Sequence, residues 1–206
     1  FHALDHTGWD AVAAAAYYPD GRICEMNRPA VNPFWNRAVF MRTLMGGGRM
    51  GFHLPDQVFD GPGQAIDVAS FVGLFLSRHA IATAGYPDGR LFLYADDSLY
   101  TLGLREKGLT IRFAPALRFE HDCSTFEGGA RVYKPLWKVY YNYRNGLFLY
   151  HKAAGPWFWL VILIVVPKWA WNGRKYGADR GAFYRLLWRA VRDGVRRLRD
   201  TDHRVT

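Results

Sequence analysis

Cysteine, acidic residues and long apolar segments are all scarce in this 206-residue chain. The two cysteines, Cys24 and Cys123, are too few for a disulfide framework or a zinc site, so free thiols in a reducing compartment are expected. A single disulfide between them stays open. The apolar segment 156–166 would span only about 16 Å as a helix, which is short for crossing a bilayer.

Basic residues outnumber acidic ones by 27 to 18, which gives a formal net charge of +9. This excess favours an anionic partner: lipid headgroups, nucleic acid or a phosphorylated substrate. Half of the residues are hydrophobic and 17% are aromatic, which excludes a disordered chain. The length indicates one domain or slightly more.

Periodicity, capping residues and turn residues predict the secondary structure. The expected elements are a helix over 4–18, irregular chain over 23–66, a buried strand over 68–76, a helix over 77–84, a helix from Asp96 or Asp97 to Lys107, strands over 109–114 and 116–121 separated by Pro115, a helix within 132–152, and a basic amphipathic helix over 182–199.

The adjacent acids Asp96 and Asp97 are the first candidate for chemistry. Acids at a helix start commonly cap the helix and complement its dipole, each worth about 0.5–1 kcal/mol. A pair that follows a strand can also act as a general base or a metal site, because ligands gather beyond strand ends in open α/β sheets. The pair alone leaves both interpretations open.

The surrounding segment, SFVGLFLSRHAIATAGYPDGRLFLYADDSLYTLGLREKGLTIRFAPALRFEHD over 70–122, resembles the C-terminal half of the catalytic domain of family 2 glycosyltransferases. Rhamnosyl- and galactofuranosyltransferase-like members are the most similar. The resemblance extends weakly to 140–145 and back to a hairpin at 18–23, and so covers most of 10–150. It implies a GT-A fold and transfer of a sugar from a nucleotide-diphosphate donor with inversion.

The resemblance also implies roles for individual residues. Asp97 would be the general base that takes the proton from the acceptor hydroxyl, and Asp96 would orient the acceptor or support Asp97. His121 would bind a divalent metal, Mn or Mg, although a single strand-end histidine is also an ordinary surface residue. One imidazole cannot hold the cation, so the other ligands would come from a D-x-D motif that this sequence lacks.

That motif and the nucleotide-binding unit are expected upstream of Phe1, in roughly 80–100 further residues. This chain alone is therefore expected to be inactive.

Four further residues are candidates for donor or acceptor binding: Phe71, Gly73, Tyr100 and Arg144. The aromatic rings of Phe71 and Tyr100 could stack on sugars, or they could belong to the core. Gly73 allows close approach of the backbone. Arg144 could grip a phosphate, or it could be an ordinary arginine on a helix surface.

The C-terminal part, 151–206, is interpreted as a membrane-facing helical tail, and 1–150 as part of a GT-A domain. Arginines and apolar residues alternate at helical spacing over 182–199, a pattern that fits an anionic membrane surface better than nucleic acid.

The sequence thus predicts an α/β protein: a partial GT-A sheet with flanking helices and a basic helical tail. The expected enzyme uses a nucleotide-sugar donor and a glycan or polyprenyl-linked acceptor, with no nucleic acid. It would be peripheral at the cytoplasmic face of the membrane. The alternatives are a non-catalytic membrane- or glycan-binding module and a basic nucleic-acid binder.

Overall fold

The structure, a computed structural model, describes residues 8–122 and 132–196, which fall into two compact units. The first unit contains the described residues up to Pro87 and from Tyr100 to 122. The second contains Asp88–Leu99 and 132–196. The division runs through a helix, between Leu99 and Tyr100.

The strands, in chain order, are β1 (Ala11–Tyr17), β2 (Gln64–Ala65), β3 (Leu74–Leu76) and β4 (Ile111–Glu120). The α-helices are α1 (Arg37–Arg42), α2 (Arg78–Ala84), α3 (Asp96–Glu106), α4 (Lys138–Ala154), α5 (Phe158–Asn172) and α6 (Arg180–Val195).

The first unit is built on a four-stranded mixed sheet with the order β2-β4-β1-β3. Strands β1 and β4 are parallel, while β3 and β2 pair antiparallel at the two edges. The expected mixed α/β class is confirmed at this level.

The helix predicted over 4–18 is wrong where the structure describes it, because Ala11–Tyr17 form the central strand β1. Residues 1–7 lie outside the described residues. The six residues from Ala11 to Ala16 are all buried; all of them pair with β4, and the first three also pair with β3. Alanine's high helix propensity is worth less than the hydrogen bonds and burial that a central strand position supplies.

Pro115 does not separate two strands as predicted but lies within the single strand β4. The pairing of β1 with β4 shifts register here: Ala14 pairs with Ala114, and the next residue, Ala15, pairs with Arg118. Residues 115–117 form the bulge, where a proline's missing N–H costs no ladder hydrogen bond.

The buried strand predicted over 68–76 is reduced to Leu74–Leu76, which is half-buried at a sheet edge. Gly73 precedes it with φ of 69°, and a Cβ there would lie 2.8 Å from the Cβ of Ala14. The expected close backbone approach at Gly73 is thus confirmed. Strand β3 lies at the edge with one partner strand, and it is shorter than the apolar composition of 68–76 suggested.

The helix predicted over 77–84 is confirmed as α2, with the Ser77 side chain accepting from the Ala80 N–H and Gly85 ending the helix at φ of 77°. The helix predicted from Asp96 or Asp97 is α3, and Gly108 follows it at φ of 79°. The segment predicted as irregular, 23–66, also contains α1, the strand β2 and 3₁₀ turns such as Asp56–Asp60.

The second unit is a helical assembly in which α4 and α6 pack closely. Gly194 of α6 makes this possible, because a Cβ there would lie 2.7 Å from the Leu147 side chain of α4. Phe183, Leu187 and Ala190 of the apolar stripe predicted on α6 are buried in this interface, and the membrane-facing role of the tail stays a prediction. The boundary predicted at residue 150 stays a prediction, although the helices before and after it share this core.

A buried polar contact also joins α4 to α6. The Tyr140 hydroxyl donates to Asp193 at 2.9 Å, and burial raises the pKa of Tyr140 to about 12. Burial acts to raise the pKa of Asp193, but hydrogen bonds from Arg192 and Tyr140 outweigh it and leave that pKa lowered. The ionised carboxylate is therefore the form that this interface stabilises.

Candidate functional site

The acids Asp96 and Asp97 belong to the second unit and lie in the first turn of α3. Both are half-buried. The Asp97 carboxylate accepts from the backbone N–H of Ser98 at 2.6 Å and from its hydroxyl at 3.2 Å. The helix dipole and these donors stabilise negative charge at this position.

The backbone before the acid pair is strained. Phe92, Tyr94 and Ala95 have φ of 63°, 67° and 60°, values that residues other than glycine rarely adopt. Each such residue costs about 1–3 kcal/mol and persists only where the surroundings enforce it. Here the strain sets the direction from which the chain enters α3 and so the position of both carboxylates.

Helix α4 enforces this conformation through Asn145, which is fully buried. The Asn145 side-chain amide donates to the carbonyls of Leu91, Leu93 and Tyr94 at 2.9, 2.7 and 3.0 Å. An aromatic contact also holds the loop: Phe92 contacts Tyr141 of the same helix, with ring centroids 5.1 Å apart. The sequence pattern showed neither the strain nor this clamp.

Arg144 is inside the second unit and not on a helix surface. It is fully buried, and its guanidinium lies over the rings of Tyr140, Tyr141 and Phe148 at 5.1–5.6 Å. Its Nε donates to the Asn145 side chain at 2.9 Å. In this position Arg144 supports the clamp on the loop and presents no fork of donors to solvent.

His121 lies in the first unit, at the edge where the parallel strands β1 and β4 both end. Its backbone N–H donates to the carbonyl of Tyr17, which extends the pairing by one residue. The predicted hairpin over 18–23 is present: Tyr18 and Arg22 are hydrogen-bonded, and Tyr17 bridges to Ile23. The turn brings the following residues back to this edge.

Those residues form a polar group that we term the His121 cluster: Cys24, Asn27, Ser70 and His121. The Asn27 side-chain oxygen lies 2.7 Å from His121 Nδ1 and 3.0 Å from the Cys24 sulfur, and its nitrogen donates to Ser70 at 2.6 Å. Cys24 is a buried free thiol, as expected, whereas Cys123 lies outside the described residues.

Asn27 determines which nitrogen of the His121 ring carries the proton. Because a carboxamide oxygen only accepts hydrogen bonds, Nδ1 must donate to it, and Nε2 of the neutral ring then keeps its lone pair. A histidine that binds a metal usually donates its other N–H to such a partner. The sequence offered no signal for Asn27, since it is remote from His121 along the chain.

A metal would need more than this imidazole. Among residues 8–122 and 132–196, no group of three His, Cys, Asp or Glu side chains is placed to hold a metal ion. His121 by itself is therefore no metal site, and any further ligands would have to come from outside the described residues.

Phe71, Tyr100 and Gly73 also lie in the first unit. The Phe71 ring is 37% exposed and meets Tyr100 edge-on at 5.9 Å. Tyr100 is buried, its hydroxyl donates to the Gly85 carbonyl at 2.8 Å, and burial raises its pKa. Of the two rings, Phe71 is exposed to solvent, and Tyr100 packs against it from the core.

Comparison of the chain with protein-family models, with curated proteins and with solved structures finds no match. The mixed α/β architecture and the local geometry described above therefore carry the functional interpretation.

Proposed function

We propose that this chain is the C-terminal part of an inverting glycosyltransferase with a GT-A fold. In the proposed reaction, the acceptor hydroxyl oxygen forms a bond to the anomeric carbon of a nucleotide-diphosphate sugar as the bond to the diphosphate breaks. The hydroxyl proton passes to the Asp97 carboxylate, and Asp96 orients the acceptor.

The single observation that supports this proposal best is the strained loop before the acid pair. Three residues with an unfavourable positive φ, Phe92, Tyr94 and Ala95, lie directly before Asp96 and Asp97. Such strain is typical of catalytic and ligand-binding positions, because the rest of the fold must offset it. Simple helix capping needs no positive φ at these residues.

His121 is the proposed protein ligand of this chain for a divalent metal, Mn or Mg, with the D-x-D motif expected upstream supplying the rest. The tautomer that Asn27 favours supports this role, since it leaves Nε2 available. When bound, the metal would neutralise charge on the leaving diphosphate. Phe71, with Tyr100 behind it and Gly73 nearby in sequence, is the proposed surface for a sugar ring, whereas Arg144 acts on the loop.

The proposed acceptor is a glycan, in particular one linked to a polyprenyl lipid, with the enzyme peripheral at the cytoplasmic face of the membrane. The net charge of +9 and the exposed apolar residues of α5 support an anionic membrane as the partner.

The test is metal-dependent sugar transfer by the longest gene product that contains this chain. Asp97→Asn should lower kcat by about 10²–10⁴, the usual contribution of a positioned base. Glu106→Gln, at the exposed far end of the same helix, is the matched control and should retain full turnover. Turnover of Asp97→Asn within about threefold of the parent would remove Asp97 from the reaction.

A further inference from the structure

Helix α5 exposes an apolar stripe that runs along its whole length. The exposed positions follow the spacing i, i+1, i+4, i+5, i+8, i+12, which is one face of an α-helix. We term this set the α5 stripe: Trp159, Leu160, Leu163, Ile164, Pro167 and Trp171. Leu163 is 70% and Ile164 67% exposed. Apolar residues on a helix of a soluble protein normally face the core, so an exposed apolar face of this length is unusual.

The opposite face of α5 packs on α4 within the second unit. Trp169 contacts the rings of Tyr143 and Tyr150, with centroids 4.7 and 6.0 Å apart, and Phe158 meets His151 at 4.9 Å. The two helices therefore run side by side in opposite directions. This packing orients the α5 stripe away from the unit's own core and leaves its aliphatic residues Leu160, Leu163 and Ile164 exposed.

The chemistry around the stripe fits an anionic lipid bilayer. Tryptophans lie at both ends, Trp159 and Trp171, as is typical of helices at the membrane interface. The basic residues Lys168, Arg174 and Lys175 cluster at the C-terminal end, and the Arg174 guanidinium lies 3.3 Å from the Trp171 ring centroid. No acidic residue occurs from 158 to 178. A protein partner would require neither the terminal tryptophans nor basic residues clustered at one end without acidic ones.

The length of α5 and the polar residues of the neighbouring helix α4 determine how deeply α5 can insert into a membrane. By length and composition, the helical stretch Lys138–Val195 contains one window apolar enough to cross a membrane, and 11% of that window is buried. Helix α5 itself has 15 residues, about 22 Å, against a hydrocarbon core of about 30 Å. A spanning α5 would also carry Asn142, Arg144 and Asn145 of α4 to bilayer depth, which is costly.

We propose that α5 lies parallel to the membrane within one leaflet of an anionic bilayer, with the α5 stripe in the acyl region and its basic end among the headgroups. This deepens, and rests on, the membrane part of the proposed function. It does not depend on the chemistry of Asp97.

Binding is tested with the full chain and vesicles of phosphatidylcholine containing about one third phosphatidylglycerol. Leu163→Glu with Ile164→Glu should weaken vesicle partitioning by more than about tenfold, since two apolar side chains leave the acyl region. Both positions are exposed, so the fold should persist, as circular dichroism would verify. The matched control Met45→Glu, at an 81% exposed position of the first unit, should bind like the parent.

Depth is tested with spin labels at Leu160→Cys and Trp171→Cys in a Cys123→Ser background, with Cys24 buried. The two positions are about 16 Å apart along the helix. Equal depths by oxygen and nickel accessibility support an in-plane helix, and depths that differ by more than about 10 Å overturn it.

Unchanged vesicle binding by the double variant would also overturn the proposal. So would self-association of the parent that the double variant abolishes without any vesicle binding, which would identify a second copy of the chain as the occupant. Transfer to a soluble acceptor separates the two proposals, because the double variant should keep it and Asp97→Asn should lose it.

Discussion

The side chain of Asn145 helps to hold the loop that leads to the acid pair. Its amide nitrogen donates to three carbonyls, those of Leu91, Leu93 and Tyr94, while its oxygen accepts from Arg144. Asn145, Arg144 and Leu91 are buried, and Leu93 and Tyr94 are half-buried. Buried groups that lose a partner incur their full desolvation cost, so this one residue has a large influence on the loop.

Asn145→Ala should therefore lower the free energy of unfolding by about 2–4 kcal/mol, because several buried polar groups lose their partner at once. Urea denaturation measures the change. Asn142→Ala, on the half-exposed side of the same helix, is the control and should change stability by less than about 0.5 kcal/mol. A loss for Asn145→Ala as small as the control's would show that the clamp contributes little.

Asn27 sets the tautomer of His121 through a single side-chain hydrogen bond. Asn27→Ala removes the acceptor at Nδ1, and the neutral ring should shift toward the tautomer protonated at Nε2. Long-range proton–nitrogen NMR at about pH 8.5, where imidazole is neutral, distinguishes the two forms. The exposed His79 of α2 serves as an internal reference and should not change. Retention of the Nδ1 proton in the variant would refute the role of Asn27.

Helices α4 and α6 are the elements whose packing holds the second unit together. Gly194 lies where a Cβ would be 2.7 Å from Leu147 Cδ1 and 3.2 Å from the carbonyl oxygen of Arg144. Close contact with a backbone atom cannot be relieved by rotating a side chain. The glycine therefore serves the helix interface despite its low helix propensity.

Gly194→Ala should destabilise the protein by about 1–3 kcal/mol, since the overpacking outweighs the gain in helix propensity. Gly181→Ala on the same helix is the matched control: its Cβ would meet only the end of the Arg185 side chain, at 3.9 Å, so it should stabilise by about 0.5–1 kcal/mol. Thermal unfolding of both variants gives the comparison. Equal signs for the two would contradict this packing.

Much of the element pattern could be predicted from local residues. Ser77, Gly85 and Gly108 marked the limits of α2 and α3 because capping is a local hydrogen-bonding choice. Strand β1 could not be predicted, since an alanine run has no alternation and its partners are remote in sequence. Pairing with β3 and β4 in the tertiary structure makes this segment a strand.

At the scale of the whole molecule, the net charge of +9 suits both anionic lipid and nucleic acid. The exposed apolar residues of α5 favour the proposed lipid partner, because nucleic acid binding is dominated by phosphate contacts that salt weakens steeply. The two partners can therefore be separated by their response to salt.

Raising salt from about 0.05 to 0.5 M should abolish retention on duplex DNA while a substantial part of the binding to anionic vesicles persists, because apolar insertion is not screened. Vesicle sedimentation and filter retention measure the two in parallel. Vesicle binding that disappears together with DNA retention would mean that charge alone attracts the chain.

The sequence by itself determined the charge excess, the limits of α2 and α3, and the position of Asp96 and Asp97 at a helix start, because these depend on composition and on neighbours a few residues apart. Only the tertiary structure decided that the alanine run is a central strand, that Arg144 is buried, and that Asn27 and Asn145 contact His121 and the strained loop. It also decided which face of α5 is exposed. These features depend on contacts between residues distant in the chain, and no local preference encodes them.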